Sequence, residues 1–600
     1  MPRRNDSQDG PTPLLPIALI LALGFLHWRF ATTAGGFLVD GALADPDAWT
    51  RLLRVLALHH GAAWRDPILP ALSAPDGLSL HWTRPLDILI LGPASVAMRF
   101  GVDARTAILW SGTWISPVLH LVAVLLGVWA TRPLWPGMGA WIAGLLLLGS
   151  GAVVSYSVAG RADHHTLLLV AALLTFGAGL RAAVDEDRAG QAWLAGAAGG
   201  FGIWISPEAL LTVAPLLAGF GLGWLITWDG RRVALQGARI AAGLALVLAI
   251  AVATERPMAE WGLAEPDKVS VQHLAIAIAA GACFLLAAPL GLLVPWVRLP
   301  VGLLLAGAAG YGLLSQWPDM LLGSLGGADA GAMALLLPNV QEMQPLRFGT
   351  RAQISDALMA LGLVPLAALA LLLGMEYGGW VRSGRWRAAL IVGLALLVST
   401  AAALMAVRFA LDLAAPAAIG AAGLLILTGR LLQGAARYVI GGIFALLLFA
   451  LPLGAGLLVA GDPPVAPAQG CPVAPLARFL AADPPAPAAS VMFADNPNIG
   501  PELAWRTPYR QVAAPYHRGG AALLDLRRVF AATDDAEAAA ALARRQVRLV
   551  LVCRDAPNLG SPWPAASLRR RLLAGEVPDG WSTVPLPSEV SASYMLFLLN

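Results

Sequence analysis

Residues 137–184 read GMGAWIAGLLLLGSGAVVSYSVAGRADHHTLLLVAALLTFGAGLRAAV. Two apolar stretches, 137–158 and 165–182, flank a polar turn that carries Arg161, Asp163, His164 and His165. A membrane helix needs about 20 apolar residues, so the segment predicts two antiparallel spans with ionisable groups gathered at one end. Runs of the same kind recur at 14–34, 107–130, 190–206, 208–227, 235–254, 272–296, 299–316, 352–375, 387–406, 409–428 and 438–460. Together they predict a polytopic α-helical membrane protein with about 13 transmembrane helices. The half-polar segment 35–105 follows the first helix. Its short apolar run Leu86–Met98 reads as an interfacial or re-entrant hairpin.

Composition agrees. Apolar residues make up 58% of the 600 positions and charged residues 13%, against roughly 25% charged in a soluble protein. Disorder, a collagen-like fibre and a soluble multidomain enzyme are excluded together. The net charge is +3, Lys268 is the sole lysine, and no basic block suggests nucleic acid.

The arginines give the polarity. Short loops with Arg132, Arg181 to Arg188, Arg231–Arg232, Arg298, Arg382 to Arg387 and Arg430 to Arg437 fall on one side, which the positive-inside rule makes cytoplasmic. An uncleaved first helix behind Arg3 and Arg4 puts the N-terminus on that side. The opposite side receives 35–105, 159–164, 255–271, 317–351, 407–408 and everything after 460.

That tail changes character. Residues 461–490 are rich in Pro and Ala and read as a linker. Residues 491–600 read as a small C-terminal α/β domain, from strand-like runs Val491–Phe493, Val547–Cys553 and Tyr594–Leu599 and an Ala-rich helix Asp535–Arg545. Cys471 and Cys553 both lie in the polar tail, which suits a disulfide in an oxidising compartment; the alternative is two free buried thiols. Cys283, inside an apolar run, reads as packing. The setting this implies is a bacterial inner membrane with the tail in the periplasm, and residues 1–460 as the transmembrane part.

Ionisable groups near membrane depth are costly and usually mark a site. Three groups share the outer side: Asp45-Pro46-Asp47 with Arg51, Asp163 with His165, and Glu342 in Val340-Gln341-Glu342-Met343-Gln344-Pro345. Carboxylates plus one imidazole suit Mg²⁺ or Mn²⁺. The plainer readings are a solvated helix start for Asp45 and Asp47, a helix N-cap for Asp163, and a loop acid for Glu342.

In order and placement these groups resemble the motifs of the oligosaccharyltransferase catalytic subunit, a membrane glycosyltransferase of the GT-C type. Asp45-Pro46 with Arg51 is similar to the first motif of that family. Ser157-Val158-Ala159-Gly160 with Asp163 is similar to the second, and Val340-Gln341-Glu342 to its Ser-Val-Ser-Glu motif. Val407-Arg408-Phe409, ending in Pro416, resembles a helix whose Arg contacts the lipid-linked phosphate. Pro75-Asp76-Gly77 with His81-Trp82 also has an echo in the family. The resemblance covers residues 1 to about 460. It implies a divalent ion, Mn²⁺ or Mg²⁺, on Asp163, His165 and Glu342, completed by Asp45 or Asp47, with these acids also serving catalysis. The spacing to Arg51 favours Asp45; relatives with consecutive acids favour Asp47.

The chain departs from the family in one respect: the Trp-Trp-Asp-Tyr-Gly motif, which reads Asn-x-Ser/Thr acceptors, is absent from the tail. The acceptor is therefore left open among lipid, glycan and protein, and N-glycosylation is not implied. The chemistry stands without the family. A sugar on a polyprenyl phosphate or pyrophosphate leaves as an anion, which a cation and a guanidinium such as Arg408 stabilise; the plainer role for Arg408 is snorkelling. Glu208 at an outer turn, His81 and Trp82, and His517 and Arg518 in the tail are candidate substrate contacts. The expected partners are a polyprenyl-linked sugar donor and membrane lipids. The expected function is a metal-dependent glycosyltransferase at the periplasmic face, with a monophosphate-linked sugar as the runner-up donor. A lipid or sugar transporter and a non-catalytic scaffold are the other classes.

Overall fold

A chain in hydrocarbon must satisfy its backbone N–H and C=O groups internally, so apolar runs of this length fold as helices. The computed structural model describes residues 14–33, 36–325, 328–459 and 471–600. Arg3, Arg4 and the first part of the expected linker lie outside the described residues. Among the described residues, 10 helices are long and apolar enough to cross a membrane, from Leu14–Ala31 to Val407–Leu431. Met138–Gly149 and Gly151–Ser157 add a span bent by 57°, and the Ser150 hydroxyl at the break accepts from Val153 N–H. Ala189–Ile205 and Gly434–Val459 are apolar helices at the two remaining expected runs.

Small residues let these helices approach at backbone distance. A Cβ on Gly196 would collide with the Ile240 carbonyl, and one on Gly243 with the Trp193 carbonyl, so Ala189–Ile205 and Gly230–Glu255 pack face to face. Arginines tie the helix ends away from the candidate site. Arg298, buried, donates to the carbonyls of Leu293, Trp224, Thr227 and Trp228 at 2.6–2.7 Å. Arg387 donates to the Ala183 carbonyl and pairs with Glu186 at 2.8 Å. These guanidiniums satisfy carbonyls that a helix C-terminus leaves over.

The segment after the first helix is built on one buried carboxylate. Helix Pro46–His59 brings Arg51 and Arg54 to Asp87 at 2.8 and 2.7 Å, and Arg84 joins them at 3.1 Å. Burial works against the charged form of Asp87, but the three guanidiniums outweigh it and hold its pKa below the usual carboxylate range. The stretch Leu86–Met98, expected to be a hairpin, is instead part of one helix, Pro85–Arg99. Its 15 residues reach only about 22 Å, short of the bilayer core. Pro85 occupies the first helical position, where its missing N–H costs nothing, and Asp87 in the first turn is fixed by its arginines, so no reversal forms.

The C-terminal region carries a five-stranded sheet in the order Arg510–Gln511, Val491–Ala494, Val547–Cys553, Tyr594–Leu599, Trp581–Val584. The first three strands run parallel and the last two join antiparallel. Helix Val473–Ala482 lies within the stretch read as a linker. Leu476 and Leu480 on one face bury it against the sheet, and Cys471 just before it is disulfide-bonded to Cys553. Two edge contacts join this region to the membrane part. Ala74 N–H donates to the Gln511 carbonyl and Gln511 N–H to the Ala71 carbonyl. Arg506 donates to the Gly41 carbonyl and lies over the Trp49 ring.

Candidate active site

The bent span and the helix after it deliver the centre of the site. Gly160 adopts φ +92°, a left-handed turn open to glycine, and reverses the chain just before Asp163. Asp163 is buried and holds two imidazoles: Oδ1 is 2.7 Å from His164 Nδ1, and Oδ2 is 2.7 Å from His165 Nδ1. Burial disfavours its charge, but His165 and His164 more than compensate and keep its pKa well below the ordinary value. Burial lowers the His164 pKa, against the pull of Asp163, so this ring is neutral near pH 7. The Tyr156 ring stacks on His165 with centroids 4.6 Å apart.

The first-loop acids enter from the start of helix Pro46–His59. Asp45 is its N-cap: Oδ1 accepts from Ala48 N–H at 2.7 Å. Its Oδ2 faces Arg161 Nε at 3.1 Å without a hydrogen bond. Asp47 Oδ1 accepts from the Tyr516 hydroxyl at 2.7 Å. Burial raises the Asp45 pKa to about 6; Arg161 pulls it down and the charge of Asp163 adds to the rise. Burial and then the charges of Asp163 and Asp45 push Asp47 up to about 8. The carboxylates of Asp45, Asp47 and Asp163 thus repel one another across a shared space.

Glu342 comes from the late loop. Its Oε2 accepts from the Tyr156 hydroxyl at 2.9 Å and lies 3.4 Å from Arg161, while Oε1 is 3.8 Å from Arg408. Burial opposes its charge; His165 and Arg408 restore it and lower its pKa. Arg408 Nη2 pairs with Glu208 at 2.8 Å and also lies 3.0 Å from His165 Nε2. Seven sequence candidates, Asp45, Asp47, Asp163, His165, Glu208, Glu342 and Arg408, therefore meet in one cluster.

The remaining candidates lie beside it. His81 and His517 lie with ring centroids 4.8 Å apart, and Trp82 packs against Tyr516 at 5.5 Å and His164 at 6.4 Å. The charged ends of His517 and Arg518 face protein. His517 Nε2 is 2.7 Å from Asp267, and Arg518 contacts Asp267 at 2.6 Å and Glu265 at 3.2 Å. Their first role is thus to latch the C-terminal region onto loop 256–270.

Tyr156, Arg161 and His164 stand in the quoted stretch but drew no role from the sequence. The signal was available for Arg161, a cation between two acidic motifs. Asp267 had none, since its partners are about 250 positions away.

A divalent cation fits this donor set. Three carboxylates repel one another, Asp45 Oδ2 accepts no hydrogen bond, and Asp163, His164 and His165 place donor atoms within 4.8 Å of one another. Oxygen donors with imidazole suit Mn²⁺, Mg²⁺ or Zn²⁺.

No protein-family model matches the sequence, and no curated protein does. Solved structures do. The chain is similar to the archaeal oligosaccharyltransferase AglB from Archaeoglobus fulgidus in complex with an inhibitory peptide and a dolichol-phosphate, at TM-score 0.72 and 13% identity, over 96% of this chain and 80% of that one. The same enzyme tethered to an acceptor peptide with the NVT sequon gives TM-score 0.71, 13% identity and the same coverage. Its complex with Zn and sulfate gives 0.61 and 16% identity, over 90% and 68%. The chain therefore has the oligosaccharyltransferase-type GT-C membrane fold.

Proposed function

We propose that the protein is a membrane glycosyltransferase that moves a sugar or glycan from a polyprenyl phosphate or pyrophosphate carrier to an acceptor at the membrane face bearing the outer region. The observation that carries this reading is the single cluster in which Asp163, flanked by two imidazoles, faces acids from two other segments beside Arg161 and Arg408. A similar fold holding dolichol-phosphate supports a lipid-linked donor, and one with Zn and sulfate supports a cation beside an anion.

In this reading Asp47, Asp163 and His165 hold a divalent ion with Glu342, and Asp45 turns toward Arg161. Asp47 is preferred because Asp163 is the strongest charged influence on it, whereas Arg161 is the strongest on Asp45. The ion supplies Lewis-acid stabilisation of the departing phosphate oxygens. Arg408, oriented by Glu208 and Glu342, presents a guanidinium to the same developing charge. A site carboxylate orients the attacking nucleophile and takes its proton. Tyr156 and Arg161 fix Glu342, so the loop acid is set before substrate arrives. Tyr516 and Trp82 border the first-loop acids where an acceptor would approach. The disulfide supports a periplasmic outer region and a cytoplasmic N-terminus in a bacterial inner membrane.

The test is release of polyprenyl phosphate or pyrophosphate from labelled lipid-linked sugars by purified protein with Mn²⁺, Mg²⁺ or EDTA. Metal-dependent release that is lost in Asp163→Ala and Glu342→Ala supports the proposal, and the released headgroup identifies the donor. Absence of release from a broad panel by folded, lipid-binding protein would favour a transporter. Release surviving both substitutions would move the metal site elsewhere.

A further inference from the structure

Arg239 lies in the membrane-spanning helix Gly230–Glu255 and contributes to a groove of about 440 Å³ between this helix, Ala189–Ile205 and Val271–Leu290. The groove is walled by Trp193, Ala242, Ala277, Gly281 and Leu285, and it opens to the outside of the helix bundle. Along the Arg239 helix it runs from Leu235 to Ala245. At 1.5 Å per residue that is about 15 Å, the depth of one leaflet of a roughly 30 Å hydrocarbon core.

The guanidinium has no carboxylate partner among the described residues. Its one hydrogen bond, at 3.3 Å, goes to the Gln236 side chain one turn back toward the helix N-terminus. The acids of the adjoining loop are engaged elsewhere: Glu186 with Arg387, Asp185 with Arg188, and Asp187 with Arg232. An arginine inside a span normally faces a partner, because an unpaired charge there is costly. Here the side chain points back toward the near interface, beside an apolar slot one leaflet deep.

We infer that this groove binds an anionic glycerophospholipid, with one acyl chain along the Ala and Gly wall and the headgroup phosphate on Arg239. A polyprenyl donor does not suit the position. Arg239 lies 16 residues before Glu255, whose carboxylate accepts from Arg84 N–H and Trp204 at the site end, so the groove mouth is about 24 Å of helix away from the chemistry. The phosphate supplies the missing counter-charge, and a guanidinium matches it bidentately.

Native mass spectrometry of the full chain in mild detergent tests this. Phosphatidylglycerol and phosphatidylethanolamine with identical acyl chains would be supplied together with undecaprenyl phosphate. Wild type retains one phosphatidylglycerol with about fivefold preference over phosphatidylethanolamine, the scale of one interfacial arginine. Arg239→Gln abolishes the preference and leaves release activity intact. Gly281→Leu loses both phospholipids, since a Cβ there meets only Ala241 Cβ at 3.5 Å and the longer side chain enters the groove. Ala242→Leu does the same from the facing helix and replaces Gly281→Leu if that variant is not monodisperse. Equal retention of the two phospholipids by wild type, or an unchanged preference in Arg239→Gln, overturns the assignment. Displacement of phosphatidylglycerol by undecaprenyl phosphate shows a polyprenyl site instead.

Discussion

Tyr516 donates its hydroxyl to Asp47 Oδ1 at 2.7 Å, although 469 positions separate the two residues in sequence. The bond places a group from the C-terminal region directly on a first-loop acid. Burial keeps the phenol protonated well beyond its ordinary range, so it acts as a donor. The Trp82 ring, edge-on at 5.5 Å, holds it in place.

Tyr516→Phe keeps that ring contact and removes the hydrogen bond. A bond to a charged acceptor contributes about 1.5–3 kcal/mol, so turnover falls at least about tenfold and the Mn²⁺ concentration for half-maximal rate rises. A Mn²⁺ titration of the release rate reads both. Unchanged kinetics would mean that the bond serves only to dock the C-terminal region.

Asp163→Asn keeps the volume and removes the charge that holds His164 and His165. Metal affinity drops by about 100-fold or more, as removal of a ligand or its orienting partner does. Mn²⁺ binding followed by electron paramagnetic resonance measures this without turnover. Affinity within a fewfold of wild type would refute the ligand assignment.

Arg408→Met leaves Glu208 without its guanidinium and Glu342 with Arg161 alone. Breaking a largely buried pair at one partner costs about 3 kcal/mol, which thermal unfolding in detergent detects. The double variant Arg408→Met/Glu208→Gln recovers much of that stability while release stays impaired. Recovery of both would show Arg408 to be structural.

Asp267 gives a pH prediction. Burial disfavours its charge, but hydrogen bonds from His517 and Arg518 win and leave its folded pKa well below the unfolded value of about 3.9. A depressed carboxyl pKa contributes stability above the unfolded pKa and loses it as pH falls toward the folded one. The stability gap between wild type and Asp267→Asn is therefore constant from pH 8 to about 5 and shrinks below about 4. Unfolding followed against pH in both proteins shows this, and a gap that stays constant down to about pH 3 would refute the depressed carboxyl pKa.

Reducing the Cys471–Cys553 bond, or replacing both residues by Ser, releases a closure of 82 positions. Loops of that size stabilise by about 4 kcal/mol in the chain-entropy account. The C-terminal region then unfolds at lower urea, while the helical signal of the membrane part persists.

Much of the fold was legible because the bilayer imposes one rule on every span. The apolar runs around Asp163 and their repeats are helices for that reason. Local pattern misled where long-range charge decided. The apolar run Leu86–Met98, too short to span, suggested a hairpin, yet three arginines fix Asp87 and the segment is one helix. The strands Val547–Cys553 and Tyr594–Leu599 announced themselves by apolar β-branched and aromatic runs. The edge strand Arg510–Gln511 and the half-exposed Trp581–Val584 carry no such run, and pairing alone makes them strands.

By itself the sequence determined the membrane class, the shared side of the acidic motifs and the two cysteines of the tail, since hydropathy, arginine placement and residue type are local properties. Tertiary structure alone decided that Arg161 bridges Asp45 and Glu342, that Tyr516 reaches Asp47, and that His517 and Arg518 are held by Asp267. Each of these is a contact between side chains far apart in the chain. Coulomb interaction and hydrogen bonding act over a few ångströms of space, and only the packed helices bring such groups within that range.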